Sequence, residues 1–569
     1  MAHVTIHPMK TKQTEIPDKV QEELNSYSSL VQRLLFNRGI ETGADAEVFL
    51  NPDFEKRHDP FLIKDMEKAV VRLFKAVEKG ERVVIYGDYD CDGIPASVVM
   101  HDLLRKIGYE NFEVYIPHRH NEGYGLNTGA IDKLVEAGAK LLITVDLGIT
   151  NVDEVAHAEA AGLDIIITDH HEIPDNIPKA YAVINPKTGG YPDPMLCGAG
   201  VAFKFVEAFL QKYGESFDVK PGWEKWLLDM VGLATLSDMV PLVNENRIFA
   251  YYGLMVMRKN KRLGMQKLFS KLRLNPTNLV EEDLTFSVAP RINAASRMAE
   301  PIRAFELLSA TEEGVAGERA KLLTNLNDER KKLVAQYMKK AKSVLKERPS
   351  RNVIVIGDTK WQVGILGLVA GKLADEHKCP VFVWGGNGGE VLKGSCRSDG
   401  SVNLVELMKG LPDGSLLGYG GHEMAGGFSI SKKQIHVFEG RAIEVYESLK
   451  KDSSEIPVTE VDANLDLKDI NKDTVKDLKR LAPYGVGNPK PTFMFENVEV
   501  MSARDFGKEK NHLEIVFTDG KVNKKAIAFF KTTEDYKIES GQKRSFIGAI
   551  EESFFAGRYE IRLKVIDIM

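Results

Sequence analysis

Cysteine is scarce. The four thiols, Cys91, Cys197, Cys379 and Cys396, lie far apart in 569 residues and form no CxxC pair. That spacing argues against a disulfide framework and a structural zinc knuckle, and it fits a reducing compartment. Long hydrophobic runs are missing too. No stretch is long enough to span a bilayer, and the opening MAHVTIHPMK lacks the apolar core of a signal peptide. The expectation is a cytoplasmic protein with no membrane partner. Nor is there an excess of positive charge: at a net −6, any grip on nucleic acid has to come from local basic surface. The 43% hydrophobic and 28% charged fractions are those of a soluble globular chain. At ~100–200 residues per domain, two to four domains are expected.

What is present begins at residues 86–93, YGDYDCDG, where Asp88, Asp90 and Asp92 alternate after the apolar run Val83, Val84, Ile85. RVVIYGD, LLITVDLG and DIIITDHH are each short, rich in Val, Ile and Leu, and end in polar residues, the pattern of buried parallel strands. Segments around 94–107, 128–138 and 151–161 carry helical spacing, so an α/β fold with a doubly wound parallel sheet is predicted. Ligands in such sheets sit beyond the carboxyl ends of the strands. This chain puts Asp88, Asp90 and Asp92, then Asp146, then Asp169, His170 and His171 at those ends. Any one aspartate is explained as a helix N-cap, and His171 alone as a structural histidine. A set falling on three successive strand ends is not explained that way. Repulsion among so many carboxylates is tolerable where divalent cations neutralise it. Asp and His without Cys favour Mn²⁺ or Mg²⁺ over Zn²⁺.

Asp90-x-Asp92, Asp146 and Asp169-His170-His171 resemble the first three motifs of the DHH phosphoesterases, and LATLSDMVPL, with Asp238, resembles the fourth. YGDYDCDG, GAGVAFKF (198–205), SVAPRINAASRM (287–298), GSCRSDG (394–400) and GYGGHEMAGGF (418–428) are similar to the RecJ-type single-strand exonucleases of that family, over roughly residues 80–570. The resemblance implies two metal ions bridged by Asp146. One would be held by Asp90 with Asp88 as its neighbour, the other by Asp92, His170 and Asp238. It further implies that Asp169 orients a ligand and that His171 faces the scissile phosphate as a donor or proton-transfer group. Paired cations suit phosphodiester hydrolysis. Cys91 and Pro95 depart from the family pattern, in which small apolar residues or Thr are commoner, and Pro95 touches the start of the next helix.

Residues 312–347 contain no proline and are dense in Lys, Glu, Leu and Ala, which predicts one long helix connecting two domains. Just before it, Arg291, Asn293 and Arg297 are candidates to line a strand's path, with surface or capping roles as the alternative. After it, NVIVIGD and PVFVWGG begin a second, smaller α/β domain of DHHA1 type. Arg397 and Ser398 of GSCRSDG and Gly420, Gly421 and His422 of GYGGHEMAGGF are candidate phosphate binders there. The guanidinium supplies a fork, and the glycines let backbone amides approach an anion beside a histidine donor; a tight turn explains the glycines equally well. KDSSEIP (451–457) reads as a linker. Beyond it, five or six short alternating runs predict an OB-like β-barrel, a fold that binds single strands by stacking and charge. Lys521, Lys524, Lys525, Phe529, Phe530 and Lys531 interleave cations with aromatics, and alternation assigns at least one phenylalanine to the core. The basic run 258–273 reads as a solvated helix face or a rim that guides a strand.

The expected order is an N-terminal cap (1–79) without a chemical motif, a DHH catalytic domain (80–311), a connecting helix (312–349), a DHHA1-type substrate-binding domain (350–450) and an OB-like single-strand-binding domain (456–569). The expected function is that of a metal-dependent exonuclease of single-stranded DNA in repair and recombination. It would be a monomer running 5′ to 3′ by resemblance alone, with a single-strand-binding protein and a recombination helicase as partners. A DHH phosphodiesterase of short oligonucleotides or cyclic dinucleotides shares the same site, but an appended barrel argues against it. A non-catalytic replication scaffold is disfavoured by the complete acidic and histidine set.

Overall fold

The structure, a computed structural model, describes residues 15–119, 121–386, 389–450, 461–555 and 558–569. The linker expected at 451–457 lies outside them. The chain divides into two compact units, one of Met1–Arg57, Met239–Tyr251 and Glu455–Met569, the other of His58–Asp238 and Tyr252–Ser454.

The second unit carries two lobes. The near-continuous apolar runs of the first lobe form a five-stranded sheet of β1 (Arg82–Gly87), β2 (Phe112–Tyr115), β3 (Ala139–Val145), β4 (Asp164–Thr168) and β5 (Ala182–Ile184), in the order β2-β1-β3-β4-β5. Every pairing is parallel. Val84, Tyr86, Leu142, Ile165 and Ile167 belong to the core of one face, with Ile131, Leu134, Val155 and Ala158 of the helices Thr128–Glu136 and Val152–Ala160. Pro95 sits in the first turn of helix Gly93–Lys106, where a missing N–H breaks no intrahelical bond.

The long helix is Glu313–Lys346. It packs on helices Leu263–Leu272, Ala289–Met298 and Ile302–Leu308. Farther along, Val334, Tyr337 and Ala341 enter the core of the second lobe with Ile365 and Val369, and Tyr337 stacks on Trp361 at 4.8 Å. That lobe is a mixed sheet of β6 (Ile354–Asp358), β7 (Val381–Gly385), β8 (Val391–Arg397), β9 (Gly418–Gly421) and β10 (Ala425–Ser431), ordered β6-β7-β8-β10-β9. GYGGHEMAGGF is thus a hairpin rather than an isolated turn.

The other unit holds β11 (Ala463–Asn464), β12 (Phe493–Phe506), β13 (His512–Thr518), β14 (Asn523–Ala528), β15 (Lys543–Phe555) and β16 (Arg558–Ile568). They run β11-β12-β13-β14-β16-β15, and β15 pairs back onto β12 to close a five-stranded barrel. Its core is shared: Val31, Leu34, Leu35 and Leu50 of the helices Ser29–Phe36 and Gly43–Leu50 join Phe493, Phe517 and Phe546. Helix Met66–Lys79 belongs to the other unit, so residues 15–79 are divided between two cores. Alternation misjudged Phe529 and Phe530. Strand β14 ends at Ala528, leaving Phe529 40% and Phe530 75% exposed, the latter at φ 57°.

Candidate metal centre

Three strand ends and one helix end meet at the carboxyl edge of the parallel sheet. After β1 the backbone turns sharply. Asp90 Oδ1 accepts from the N–H of Asp92 at 2.8 Å and of Gly93 at 3.2 Å, tying the loop to the start of helix Gly93–Lys106. Asp92 points the other way, accepting Gly198 N–H at 2.6 Å and Ala199 N–H at 2.7 Å from the first turn of helix Gly198–Tyr213. A helix N-terminus offers unpaired amides and a positive dipole end, which is what GAGVAFKF supplies. Gly198 also makes room, since a Cβ there would lie 2.5 Å from Asp146 Oδ1. Asp146 follows β3 in the left-handed region at φ 64°, a conformation that costs a non-glycine residue about 1 kcal/mol or more.

His170 stands at the centre of this group. Its Nε2 is 3.1 Å from Asp146 Oδ1, 3.6 Å from Asp92 Oδ2 and 3.8 Å from Asp238 Oδ2. Asp238 caps the carboxyl end of helix Leu228–Ser237, the end of a helix dipole that disfavours a carboxylate. The donor atoms of Asp92, His170 and Asp238 lie within 4.8 Å of one another, as do those of Asp88, Asp90 and Asp146. A third such group joins Asp146, His170 and His171. Asp169 serves the backbone and its neighbour instead: Oδ2 accepts Ile149 N–H at 2.9 Å, and Oδ1 accepts His170 N–H at 2.8 Å and His171 Nδ1 at 2.7 Å.

The electrostatics call for cations. Burial and then the charge of Asp90 push Asp92 up to about 7, and burial with Asp92 and Asp90 pushes Asp238 up to about 8. Asp88 and Asp146 rise well above the carboxylate range, again through burial first and neighbouring carboxylates next. His170 is pushed down to about 4 by burial and by His171, so its imidazole is neutral and able to ligate. Asp88 Oδ1 and Asp146 Oδ1 are buried with no hydrogen-bond partner. Acceptors facing acceptors in a buried, oxygen-rich group with one imidazole and no thiolate fit Mn²⁺ or Mg²⁺. His171 behaves differently. Burial lowers it, but the hydrogen bond and charge of Asp169 outweigh burial and raise it to about 9.

Around the acidic group lies an arginine cluster that sequence reasoning found only in part. Arg297 is lowered to about 10, by burial first and then by Arg119, Arg330 and Arg397, and its Nη1 donates to Gly364 O in the second lobe at 3.1 Å. Arg119 lies 4.8 Å over the ring of Tyr89. Tyr124, between Gly123 and Gly125 at φ 85° each, brings its hydroxyl to 3.5 Å from both ring nitrogens of His171. Arg119 and Tyr124 sit in the loop RHNEGYGLN, whose paired glycines were the signal available. Asn293 braces the metal loop, accepting Cys91 N–H at 2.8 Å. Arg397 Nη1 donates to Ser395 Oγ at 3.2 Å. Ser398 turns away, closing its own loop through Val402 O at 2.8 Å and Gly400 N–H at 3.1 Å. Gly421 has no room for a Cβ, which would meet Ala425 O at 2.4 Å, whereas Gly420 faces open space. His422 lies at the hairpin turn, and Glu172, next to the histidine pair, is held below its ordinary value chiefly by Lys187.

Family matches cover residues 82–235 (DHH family, N-terminal domain), 350–448 (DHHA1 domain) and 461–567 (RecJ OB domain). The chain is 34% identical to the single-stranded-DNA-specific exonuclease RecJ of Bacillus subtilis strain 168, covering 97% of this chain and 69% of that protein. It is 31% identical to the Haemophilus influenzae protein of the same description, over 95% and 96%. The crystal structure of RecJ with Mn²⁺ from Thermus thermophilus superposes with a TM-score of 0.80 at 25% identity, covering 97% of this chain and 77% of that one. A structure of exonuclease RecJ bound to manganese gives 0.60 at 28% identity, over 68% and 95%. With three domain matches in order and relatives aligned over nearly its whole length, the chain belongs to the RecJ family.

Proposed function

We propose that this chain is a metal-dependent exonuclease of single-stranded DNA that hydrolyses phosphodiester bonds with two divalent cations, proceeds from the 5′ end, and serves DNA repair and recombination. The observation that carries the reading is the pair of donor groups, Asp88/Asp90/Asp146 and Asp92/His170/Asp238, brought together where His170 Nε2 approaches Asp146 Oδ1 to 3.1 Å. Relatives described as single-stranded-DNA-specific exonucleases support the substrate, and manganese and magnesium in related crystal structures support the cofactor.

When bound, the cations supply Lewis acidity at the scissile phosphate and make water a better nucleophile at neutral pH. The chain's own groups do the rest. Asp146 joins the two donor groups, and the Gly198 and Ala199 amides fix the direction of Asp92. Asp169 holds His171 by Nδ1, which leaves Nε2 to face the phosphate as donor or proton-transfer group. Arg297, near Asp90, and Arg119 and Arg397, near Arg297, present fixed positive charge for the strand's phosphates. On the barrel, exposed Phe529 and Phe530 pack against the His512 ring at 5.6 and 4.9 Å. Arg562 lies 5.9 Å from the Phe529 ring. Aromatics with nearby cations suit base stacking. A cytoplasmic monomer acting with a single-strand-binding protein and a helicase completes the reading.

The test is digestion of single and duplex strands labelled at either end, with Mn²⁺, Mg²⁺ or chelator. The reading expects release of a 5′ label from single strands only, abolished by chelator and by Asp146→Ala. First release of the 3′ label refutes the polarity, and chelator-resistant cleavage refutes the metal mechanism.

A further inference from the structure

The inward face of the long helix advances in alternating steps of four and three: Ala316, Ala320, Leu323, Asn327, Arg330, Val334, Tyr337, Ala341, all buried except the half-buried Arg330. A packed helical seam asks for apolar residues at every such position. Two consecutive positions break the rule, just before Val334 enters the core of the second lobe. Asn327 is fully buried, yet neither its Oδ1 nor its Nδ2 has a hydrogen-bond partner. Arg330 Nε is buried without an acceptor, and Arg330 makes no hydrogen bond or ion pair among the described residues. The charge that acts on it is a like one, Arg291, from helix Ala289–Met298, which packs along the long helix. Arg291 Nε is also buried without an acceptor, while its Nη1 donates to Ser287 O at 2.5 Å.

Buried donors without acceptors lose their hydration and recover nothing; Arg330 is repelled by Arg291, whose own charge is offset in part by Asp328. Leucine at 327 and 330 would serve packing better. An oxyanion accepts from donors of this kind and would offset the repulsion between the two guanidinium groups. We propose that Asn327, Arg330 and Arg291 form an oxyanion site on the long helix that takes a backbone phosphate of the single strand, beyond the arginines beside the metal centre. The proposal rests on the single-strand reading above. Arg330 also acts on Arg297 of that cluster.

The test compares binding of a fluorescent single strand, in chelator so that it stays intact, by wild type, Arg330→Ala and Asn327→Leu across a salt series. Arg330→Ala is expected to bind about tenfold more weakly, with a salt slope shallower by about 0.7 because one phosphate is no longer neutralised. Asn327→Leu, which keeps the branched shape of Asn and completes the apolar seam, is expected to bind more weakly while unfolding at the same or a higher temperature. Wild-type affinity and slope in Arg330→Ala overturn the site. Wild-type binding by Asn327→Leu together with a lower unfolding temperature also overturns it, assigning Asn327 to a buried water instead. Inorganic phosphate is titrated in parallel. A phosphate-dependent rise in unfolding temperature that Arg330→Ala abolishes, with strand binding unchanged, overturns the assignment to the strand in favour of a free anion. Failure of the wild-type protein to bind any single strand would overturn the function itself, an outcome distinct from equal binding by wild type and variants.

Discussion

Asp92 illustrates how little freedom the metal centre leaves to single residues. Both its oxygens accept amides from the start of helix Gly198–Tyr213, so the carboxylate is aimed before any cation arrives. Glycine at 198 is what lets Asp146 lie against that helix. Gly198→Ala would put a methyl 2.5 Å from Asp146 Cβ and Oδ1, and Asp146 would have to move. The expected result is a folded protein whose Mn²⁺ affinity, measured by calorimetry, falls by about 10- to 100-fold, the range for disturbed ligand support. His171→Ala should separate cleanly from Asp146→Ala. The first should keep Mn²⁺ binding and lose about 10²–10⁴-fold in turnover, whereas the second loses both. Equal metal loss in the two variants would show that His171 ligates, a possibility that its grouping with Asp146 and His170 makes concrete. At this scale the aspartates were legible because alternation and strand ends mark them. Arg119 and Tyr124 were not, because a loop shaped by left-handed glycines has no periodicity to read. Ser398 was a candidate phosphate binder by sequence, but its hydroxyl closes its own loop on Val402 O.

Elements were legible where a single period persisted. β1, β3 and β4 and the helices between them fall close to where their apolar runs place them, and the long helix ends within a residue of its expected bounds. β2 and β5 are edge strands of four and three residues, too short to stand out from loops. The basic run 258–273 was ambiguous for another reason, since its central arginine is neither rim nor solvated face. Arg262 donates from Nε to Asp229 at 2.8 Å, from Nη1 to Asp102 at 3.0 Å and to Leu308 O at 3.1 Å, joining four helices of the first lobe. Burial pushes Asp102 up, but the charge of Arg262 and the contacts of His101 outweigh it and leave Asp102 below its ordinary value. A carboxylate lowered in the folded state contributes stability above its unfolded value of about 3.9, and that contribution is lost as pH falls through the folded value. Arg262→Ala leaves two carboxylates without their cation and should cost ~3 kcal/mol at neutral pH. The deficit should narrow below about pH 4, as Asp102 of the wild type takes up a proton and its contribution is lost. Denaturant unfolding of both proteins across pH measures this, and a deficit independent of pH would mean that packing, not charge, carries the loss.

At the scale of the whole molecule, sequence order and structural units disagree. The chain passes between its two units after Arg57, Asp238, Tyr251 and Ser454, and composition gives no sign of it because each segment reads as a normal amphipathic stretch. The practical consequence concerns truncation. A chain ending near residue 455 would lose the barrel but keep the helices Ser29–Phe36 and Gly43–Leu50, whose Val31, Leu34, Leu35 and Leu50 are buried with Phe493, Phe517 and Phe546. Each such side chain returned to water forfeits ~1.5–3 kcal/mol, and together they form an exposed apolar face. Residues 1–454 are therefore expected to bind a hydrophobic dye and aggregate. Residues 58–454, which drop those helices and keep only Met239–Tyr251 of that unit, should be the better-behaved fragment and should still hydrolyse very short oligonucleotides. In this second fragment, affinity for long strands should fall and its salt dependence flatten by ~0.7 for each phosphate no longer held, with each missing stacked aromatic worth ~1–3 kcal/mol. If 1–454 proves as soluble and as cooperative in unfolding as the full chain, the shared core contributes little. If 58–454 binds long strands as tightly as the full chain does, the barrel is not where the strand is held, and phosphate binding along the long helix must carry the affinity.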